Sequence, residues 1–214
     1  TLAEVCRANG ALLVLDEVMT GFRVGSAGRW GVEGAAQGWA PDLFTFGKVI
    51  GGGLPLAAVA GPGQLMDLLA PAGPVYQAGT LSGNPAASAA GLATLGLLDD
   101  AAYRRLDETA ATVAALVSRH LAAAGVEHRV NAAGNLFSVF FTADPVTDYA
   151  SAKRQDTAAY GRFFHALLDR GVWLPPSAYE AWFVSTAHSD RELSVLELAL
   201  PAAARAAASR PAAG

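Results

Sequence analysis

The segment DLFTFGKVIGGGLP, from Asp42 to Pro55, decides the fold and carries Lys48 at its centre. Residues 43–46 form a short apolar run, which predicts a buried strand. Three glycines, residues 51–53, follow the lysine, and glycine lets a backbone come close to a bulky group. We therefore expect a strand that delivers a lysine onto a tight, glycine-rich turn.

A lysine among apolar neighbours has two interpretations. An ammonium that loses hydration gives access to the neutral amine, a good nucleophile towards a carbonyl, and a Schiff-base lysine needs this environment. Alternatively, the side chain extends along the apolar surface and keeps its charge in water. The chain has only two lysines, Lys48 and Lys153, and this scarcity favours a specific role for Lys48.

The run ALLVLDE, residues 11–17, has the pattern of a strand buried on both faces of a parallel sheet and closes with Asp16 and Glu17. Ligands of such sheets collect at the carboxyl ends of strands. The acids could hold magnesium in a nucleotide-hydrolysing enzyme, or Asp16 could pair with a cofactor's ring nitrogen. They could also be solvated acids at an ordinary strand end. No GxxxxGK[ST] loop is present, which weakens the nucleotide hypothesis.

Composition narrows the possible partners. The chain has 214 residues, 52% hydrophobic and 16% charged, with a net charge of -4, so nucleic acid is an unfavourable partner. No apolar run is long enough to span a bilayer, and no signal peptide is recognisable. The single cysteine, Cys6, fits a reducing compartment, so we expect a cytoplasmic protein. Because the chain lacks an initiating Met and opens inside a predicted helix, we expect a fragment.

A small, polar segment precedes a predicted helix of small residues near position 85. Thr80, Ser82 and the backbone amides of residues 79–83 could bind a phosphate group there. A plain helix-capping turn is the alternative.

Four segments together resemble one family, the glutamate-1-semialdehyde 2,1-aminomutases, within the class III aminotransferases of fold-type I. Asp16 to Lys48 and Lys48 to Thr80 are each separated by 32 positions, and the order of the segments also agrees. The segments are DEVMTGFR (16–23), FGKVIGGGLP (46–55), APAGPVYQAGTLSGNP (70–85) and PPSAYEAWFVSTAH (175–188). The resemblance extends over nearly all of this chain and corresponds to the carboxyl-terminal half of the family.

The resemblance implies a role for each matching residue. Lys48 would be the Schiff-base lysine for pyridoxal 5'-phosphate and would move protons between carbons of the substrate. Asp16 would pair with the protonated ring nitrogen, which makes the ring an electron sink. Val18 would pack on the face of the ring. The reaction would convert glutamate 1-semialdehyde to 5-aminolevulinate, with pyridoxamine 5'-phosphate in the cycle.

The remaining implied roles concern the phosphate and the substrate. Gly79 and Thr80 would bind the cofactor phosphate, and in this family Thr80 reaches the other subunit, so the resemblance implies a homodimer with shared active sites. Glu180 would approach the active site from the carboxyl-terminal part. His188 follows that segment and could line the site, although we favour a structural role.

We therefore expect an α/β fold: part of a mostly parallel sheet in a cofactor-binding domain, residues 1–98, and a smaller α+β domain, residues 99–214. Helices are predicted for residues 102–124, 157–170 and 190–209, with paired strands near residues 130 and 136–141. Two alternatives stay open. One is a class III aminotransferase that uses another amino donor, and the other is a non-catalytic nucleotide-binding or dimerisation module.

Overall fold

The computed structural model describes residues 1–209, which form two compact units. The first unit is Thr1–Tyr103, and the second begins at Arg104. The functional domains expected from the sequence, residues 1–98 and 99–214, stay a prediction, and residues 210–214 of the second lie outside the described part.

The first unit consists of short strands and helices joined by long turns. The strands are β1 (Val14–Asp16), β2 (Leu43–Phe46) and β3 (Ala58–Ala60). The α-helices are α1 (Leu2–Ala8), α2 (Ala35–Gln37), α3 (Gly63–Met66) and α4 (Pro85–Gly96). A π-helical turn, Trp30–Gly34, leads into α2, and a 3₁₀ turn, Lys48–Gly51, follows β2.

The sheet of the first unit has the order β1-β2-β3. Strands β1 and β2 are parallel, and their register sets Asp16 opposite Thr45. Strands β2 and β3 are antiparallel. The described sheet is therefore mixed rather than mostly parallel. Since parallel strands end at the same edge of a sheet, the carboxyl ends of β1 and β2 lie side by side.

The burial predicted for β1 is wrong within the described chain. Leu12 is 55% exposed and Val14 is 50% exposed, although an apolar strand of this kind is normally covered on both faces. Strand β1 is also shorter than the predicted run, and it is an outer strand of its sheet. Part of the apolar surface of residues 11–15 is therefore left exposed by the described chain.

Helix α4 packs against the turn that begins at Lys48. The contact needs small residues: Gly91 meets the carbonyl of Ile50, and Gly52 meets the helix backbone at Ala90. The glycine triad was expected to let the backbone approach a bulky group, and at Gly52 that group is helix α4 of the same chain. This packing fixes the position of the turn Lys48–Gly51, which we call the lysine turn.

Helix α5 (Asp100–Ala123) leads from the first unit into the second. The second unit then contains β4 (Arg129–Ala133), β5 (Leu136–Phe140), α6 (Tyr149–Ala152), α7 (Thr157–Leu168), β6 (Trp182–Phe183) and α8 (Asp190–Ala208). These elements confirm the predicted strand pair and place α5, α7 and α8 within a few residues of the predicted helices.

The core of the second unit is aromatic and aliphatic. The sheet has the order β4-β5-β6 and is antiparallel throughout. Phe141, just after β5, contacts the rings of Tyr160 and Phe163 on α7. Helix α7 packs on α8, where Leu167 and Leu200 are fully buried. Across residues 1–209, no helix combines the length and the apolar character that crossing a membrane requires.

Candidate active site

The carboxyl ends of β1 and β2 bring Asp16 and Thr45 together. The Thr45 hydroxyl donates a hydrogen bond to Oδ1 of Asp16 at 3.2 Å, and the Val18 amide donates to the same oxygen at 2.9 Å. Asp16 is the last residue of β1, and Thr45 is the last residue but one of β2. The carboxylate of Asp16 is exposed but held in a fixed orientation.

Val18 lies against the residue that precedes the lysine. A Cβ built on Gly47 would stand 3.2 Å from Cγ1 of Val18, which is tighter than ordinary packing. A larger residue at position 47 would therefore push Val18 or the lysine turn aside. Val18 links the Asp16 end of β1 to the Lys48 end of β2.

Lys48 begins the 3₁₀ turn in an uncommon backbone conformation. Its φ is +48, in the left-handed region that non-glycine residues seldom occupy. Its side chain is exposed, so the loss of hydration expected from its apolar neighbours does not occur within the described chain. The strained backbone directs the lysine away from the extended path of β2.

A cavity of about 1050 Å³ lies beside these strand ends. Its lining includes Val18, Thr45, Gly79, Thr80 and Ser82. The structure thus brings together Val18, Gly79 and Thr80, which sequence analysis selected from distant segments. Asp16 and Lys48 are not among the residues that line this cavity. Asp16 is connected to the lining by its hydrogen bond with Thr45.

The turn before α4 uses part of its hydrogen-bonding capacity internally. Oδ1 of Asn84 accepts from the amides of Ala86 and Ala87, so this helix start has the side-chain cap that was the alternative to phosphate binding. The Ser82 amide donates to the Gly79 carbonyl at 2.9 Å. Because the Ser82 amide is engaged within the turn, the proposed set of phosphate-binding amides at 79–83 is smaller than expected.

Glu17 is not a solvated acid but a buried structural carboxylate, with 1% of its surface exposed. It accepts from the amide of Arg29 at 2.9 Å, from the amide of Trp30 at 2.8 Å, and from the Thr20 hydroxyl. These bonds tie the glycine-rich loop after β1 back to the strand end. Both carboxylate oxygens of Glu17 are therefore engaged with this loop.

Glu180 lies in the second unit, in the segment before β6. It is exposed, and its carbonyl accepts from the Ser138 hydroxyl of β5 at 3.2 Å. Burial raises the pKa of the nearby Tyr160 hydroxyl to about 12, and the negative charge of Glu180 adds to this effect. The Tyr160 hydroxyl donates to the carbonyl of Pro175, which holds the start of the Glu180 segment against α7.

Two of the four histidines, His128 and His188, have hydrogen-bond partners in their own surroundings. His188 accepts from the Ser185 amide at Nδ1, at 2.9 Å, and His128 bonds to Ser118 and the Val126 carbonyl. These contacts agree with the structural role that sequence analysis favoured for His188. Among residues 1–209, no group of three or more His, Cys, Asp or Glu side chains could hold a metal ion.

Comparison with protein families gives a match over most of the chain. The family described as Aminotransferase class-III matches residues 1–200. The chain belongs to the class III aminotransferases. The family membership and the mixed α/β structure together confirm the fold class expected from the sequence, part of a fold-type I transferase.

Two curated relatives carry the same name. A glutamate-1-semialdehyde 2,1-aminomutase of Propionibacterium freudenreichii subsp. freudenreichii is 65% identical over 207 residues, which is 97% of this chain and 47% of that protein. The enzyme of that name from Cutibacterium acnes is 56% identical over 202 residues, 94% of this chain and 46% of that protein. The chain therefore spans about half the length of these relatives.

Solved structures of transaminases share the architecture. An omega-transaminase from Sphaerobacter thermophilus aligns with a TM-score of 0.85 and 33% identity, covering 96% of this chain and 47% of that one. A transaminase with PLP bound aligns with a TM-score of 0.77 and 28% identity, covering 94% and 45%.

Thr45 was not among the site residues predicted from the sequence. A threonine in a strand is ordinary by composition, because β-branched residues favour strands. The usable signal was its position: Thr45 lies near the end of β2 and, in a parallel pairing, such a residue comes level with the acid that ends β1.

Proposed function

We propose that this chain is part of a glutamate-1-semialdehyde 2,1-aminomutase. This enzyme is an isomerase that converts glutamate 1-semialdehyde to 5-aminolevulinate by intramolecular amino transfer, in tetrapyrrole (porphyrin) biosynthesis. The observation that carries the proposal is the 65% identity to an aminomutase over 97% of the chain. The cavity that Val18 and Thr80 both line, and the bond from Asp16 to Thr45 of the same lining, support it.

The residues present fit pyridoxal 5'-phosphate or its pyridoxamine form. The cavity beside the strands measures about 1050 Å³ and has an apolar wall at Val18 and hydroxyls at Thr80 and Ser82. A carboxylate with a fixed orientation, Asp16, is connected to its lining by the bond with Thr45. An apolar face, an acid and hydroxyl donors are what a flat, cationic ring with a phosphate requires.

Each residue would contribute a defined interaction. The bound cofactor supplies an electron sink that stabilises negative charge on a substrate carbon. Asp16 would accept the ring N–H, and Val18 would limit movement of the ring. Nζ of Lys48 would hold the cofactor and later carry a proton between substrate carbons. Thr80, with the Gly79 amide, would hold the phosphate.

The proposal also concerns Glu180, the domains, the oligomeric state and the compartment. Glu180 would act on the substrate side of the site. We further propose that residues 1–98 belong to the cofactor-binding domain, that the enzyme is a homodimer in which Thr80 serves a shared site, and that it acts in the cytoplasm. The chain alone, at about half the length of its relatives, would be inactive.

Two measurements on the complete gene product test the function. The wild type should show a visible cofactor band that Lys48→Ala removes, and should form 5-aminolevulinate from glutamate 1-semialdehyde without an added amino donor. A band accompanied by an absolute need for an external donor and a keto acceptor would instead identify an ordinary class III aminotransferase. Absence of any band even after incubation with pyridoxal 5'-phosphate would disprove a cofactor enzyme and favour a non-catalytic module.

A further inference from the structure

Two hydrogen bonds converge on a single oxygen of Asp16. Oδ1 accepts from the Val18 amide at 2.9 Å and from the Thr45 hydroxyl at 3.2 Å. The first bond is local, but the second joins residues that are 29 positions apart and depends on the parallel register of β1 and β2. The hydroxyl is therefore placed by the sheet rather than by the turn after Asp16.

The two hydrogen bonds to Oδ1 fix the orientation of the Asp16 carboxylate. Two donors on one oxygen fix the plane of the carboxylate, because rotation about the Cβ–Cγ bond would break both bonds. Oδ2 is then presented in a defined direction as the oxygen that accepts from a ligand. Threonine suits this task better than a longer polar residue, because its branched side chain has few rotamers in a strand.

We propose that Thr45 is a positioning residue that orients Asp16 towards the ring nitrogen of the cofactor. The inference rests on the proposed function, since it assumes that Asp16 is the partner of that nitrogen. Thr45 also lines the cavity together with Val18, so it is close to the space that the ring would occupy. Thr45 acts through Asp16 and has no reaction step of its own.

Isosteric variants separate the hydroxyl from the shape of the side chain. Thr45→Val keeps the branched shape and removes the donor, whereas Thr45→Ser keeps the donor. In the complete gene product, depleted of cofactor and titrated with pyridoxal 5'-phosphate, Thr45→Val should bind about fivefold to twentyfold more weakly. Thr45→Ser should stay within about twofold of the wild type. Binding is followed by the visible band, without an activity assay.

Thr112→Val is a matched control, because it removes a hydroxyl that bonds only within α5, to the Glu108 carbonyl. It should leave the cofactor affinity unchanged. A double-variant cycle gives a sharper test: in an Asp16→Asn background, Thr45→Val should weaken binding by less than about twofold more, because the bond being removed has lost its charged acceptor.

The outcomes distinguish the positioning role of Thr45 from the proposed function. If the wild type binds the cofactor but Thr45→Val binds equally well, or Thr45→Ser loses as much affinity as Thr45→Val, the positioning role is wrong and the proposed function stands. If the effects of Thr45→Val and Asp16→Asn are simply additive, Thr45 does not act through Asp16. If the wild type does not bind the cofactor, both proposals are wrong.

Discussion

Gly91 of helix α4 lies directly against the backbone carbonyl of Ile50, two residues after Lys48. A Cβ at position 91 would overlap that carbonyl oxygen. Gly52, just after the lysine turn, makes the converse approach: a Cβ there would stand 2.5 Å from Oγ1 of Thr94 and 2.7 Å from the carbonyl oxygen of Ala90. The helix and the turn therefore support each other by contact between backbones, which only glycine permits at this distance.

Gly91→Ala should displace the lysine turn. Overpacking at a rigid backbone contact typically costs about 1 to 3 kcal/mol, so the free energy of unfolding should fall by this amount in urea denaturation. Cofactor binding should weaken as well, because Lys48 moves with the turn. Gly96→Ala is the control on the same helix: nothing lies within 4 Å of a Cβ there, and the change should be neutral or slightly stabilising. Equal effects at both positions would contradict the contact.

Removing the charge of Glu17 should loosen the loop after β1. Glu17→Gln replaces a buried acceptor of three hydrogen bonds by an amide that cannot accept them all, at a cost of about 2 kcal/mol in the free energy of unfolding. Limited proteolysis between β1 and β2 should become faster. Glu33→Gln, which removes the charge of a partly exposed partner of Arg29, should cost at most about 0.5 kcal/mol. A similar loss in both variants would exclude an anchoring role for Glu17.

The left-handed backbone conformation of Lys48 should lower the free energy of unfolding. Lys48→Gly removes the Cβ that makes φ +48 unfavourable, whereas Lys48→Ala retains it. After allowance for the greater chain entropy of unfolded glycine, Lys48→Gly should be more stable than Lys48→Ala by about 0.5 to 1 kcal/mol in chemical denaturation. At Lys153, where φ is -66, the order should reverse. If Lys48→Ala is instead at least as stable as Lys48→Gly, position 48 is unstrained.

Tyr160 should make stability depend on pH in the alkaline range. Burial, and secondly the charge of Glu180, raise the pKa of Tyr160 from 10.0 to about 12. The unfolded chain ionises first as the pH rises, so the stabilisation is complete below about pH 10 and is lost between about pH 10 and about pH 12. Urea denaturation across this range should show a steeper fall in the wild type than in Tyr160→Phe.

Tyr76→Phe is the control for this pH dependence, because Tyr76 is 82% exposed. Its slope against pH should equal that of the wild type. If Tyr160→Phe also retains the full slope, the hydroxyl of Tyr160 titrates as it does in the unfolded chain. In that case the burial of Tyr160 does not contribute to alkaline instability.

The sequence predicted those features that depend on neighbouring residues. The period of apolar residues in α5, α7 and α8 and the apolar run of β2 gave their positions within a few residues. The same reasoning failed for β1. An apolar pattern indicates that a strand has two faces suited to burial, but not whether other parts of this chain pack against them. Glu17 was ambiguous for a similar reason, since a carboxylate after a strand can be solvated or buried.

The sequence by itself determined which chemical groups are available: one lysine on a glycine-rich turn, an acid after an apolar run, and hydroxyls before a helix of small residues. Only the tertiary structure decided which of them meet. The bond from Thr45 to Asp16 spans 29 positions, and the contact of Gly91 with Ile50 depends on how α4 packs. Both arise from strand register and helix packing, which are set by the summed burial of many distant side chains rather than by local sequence.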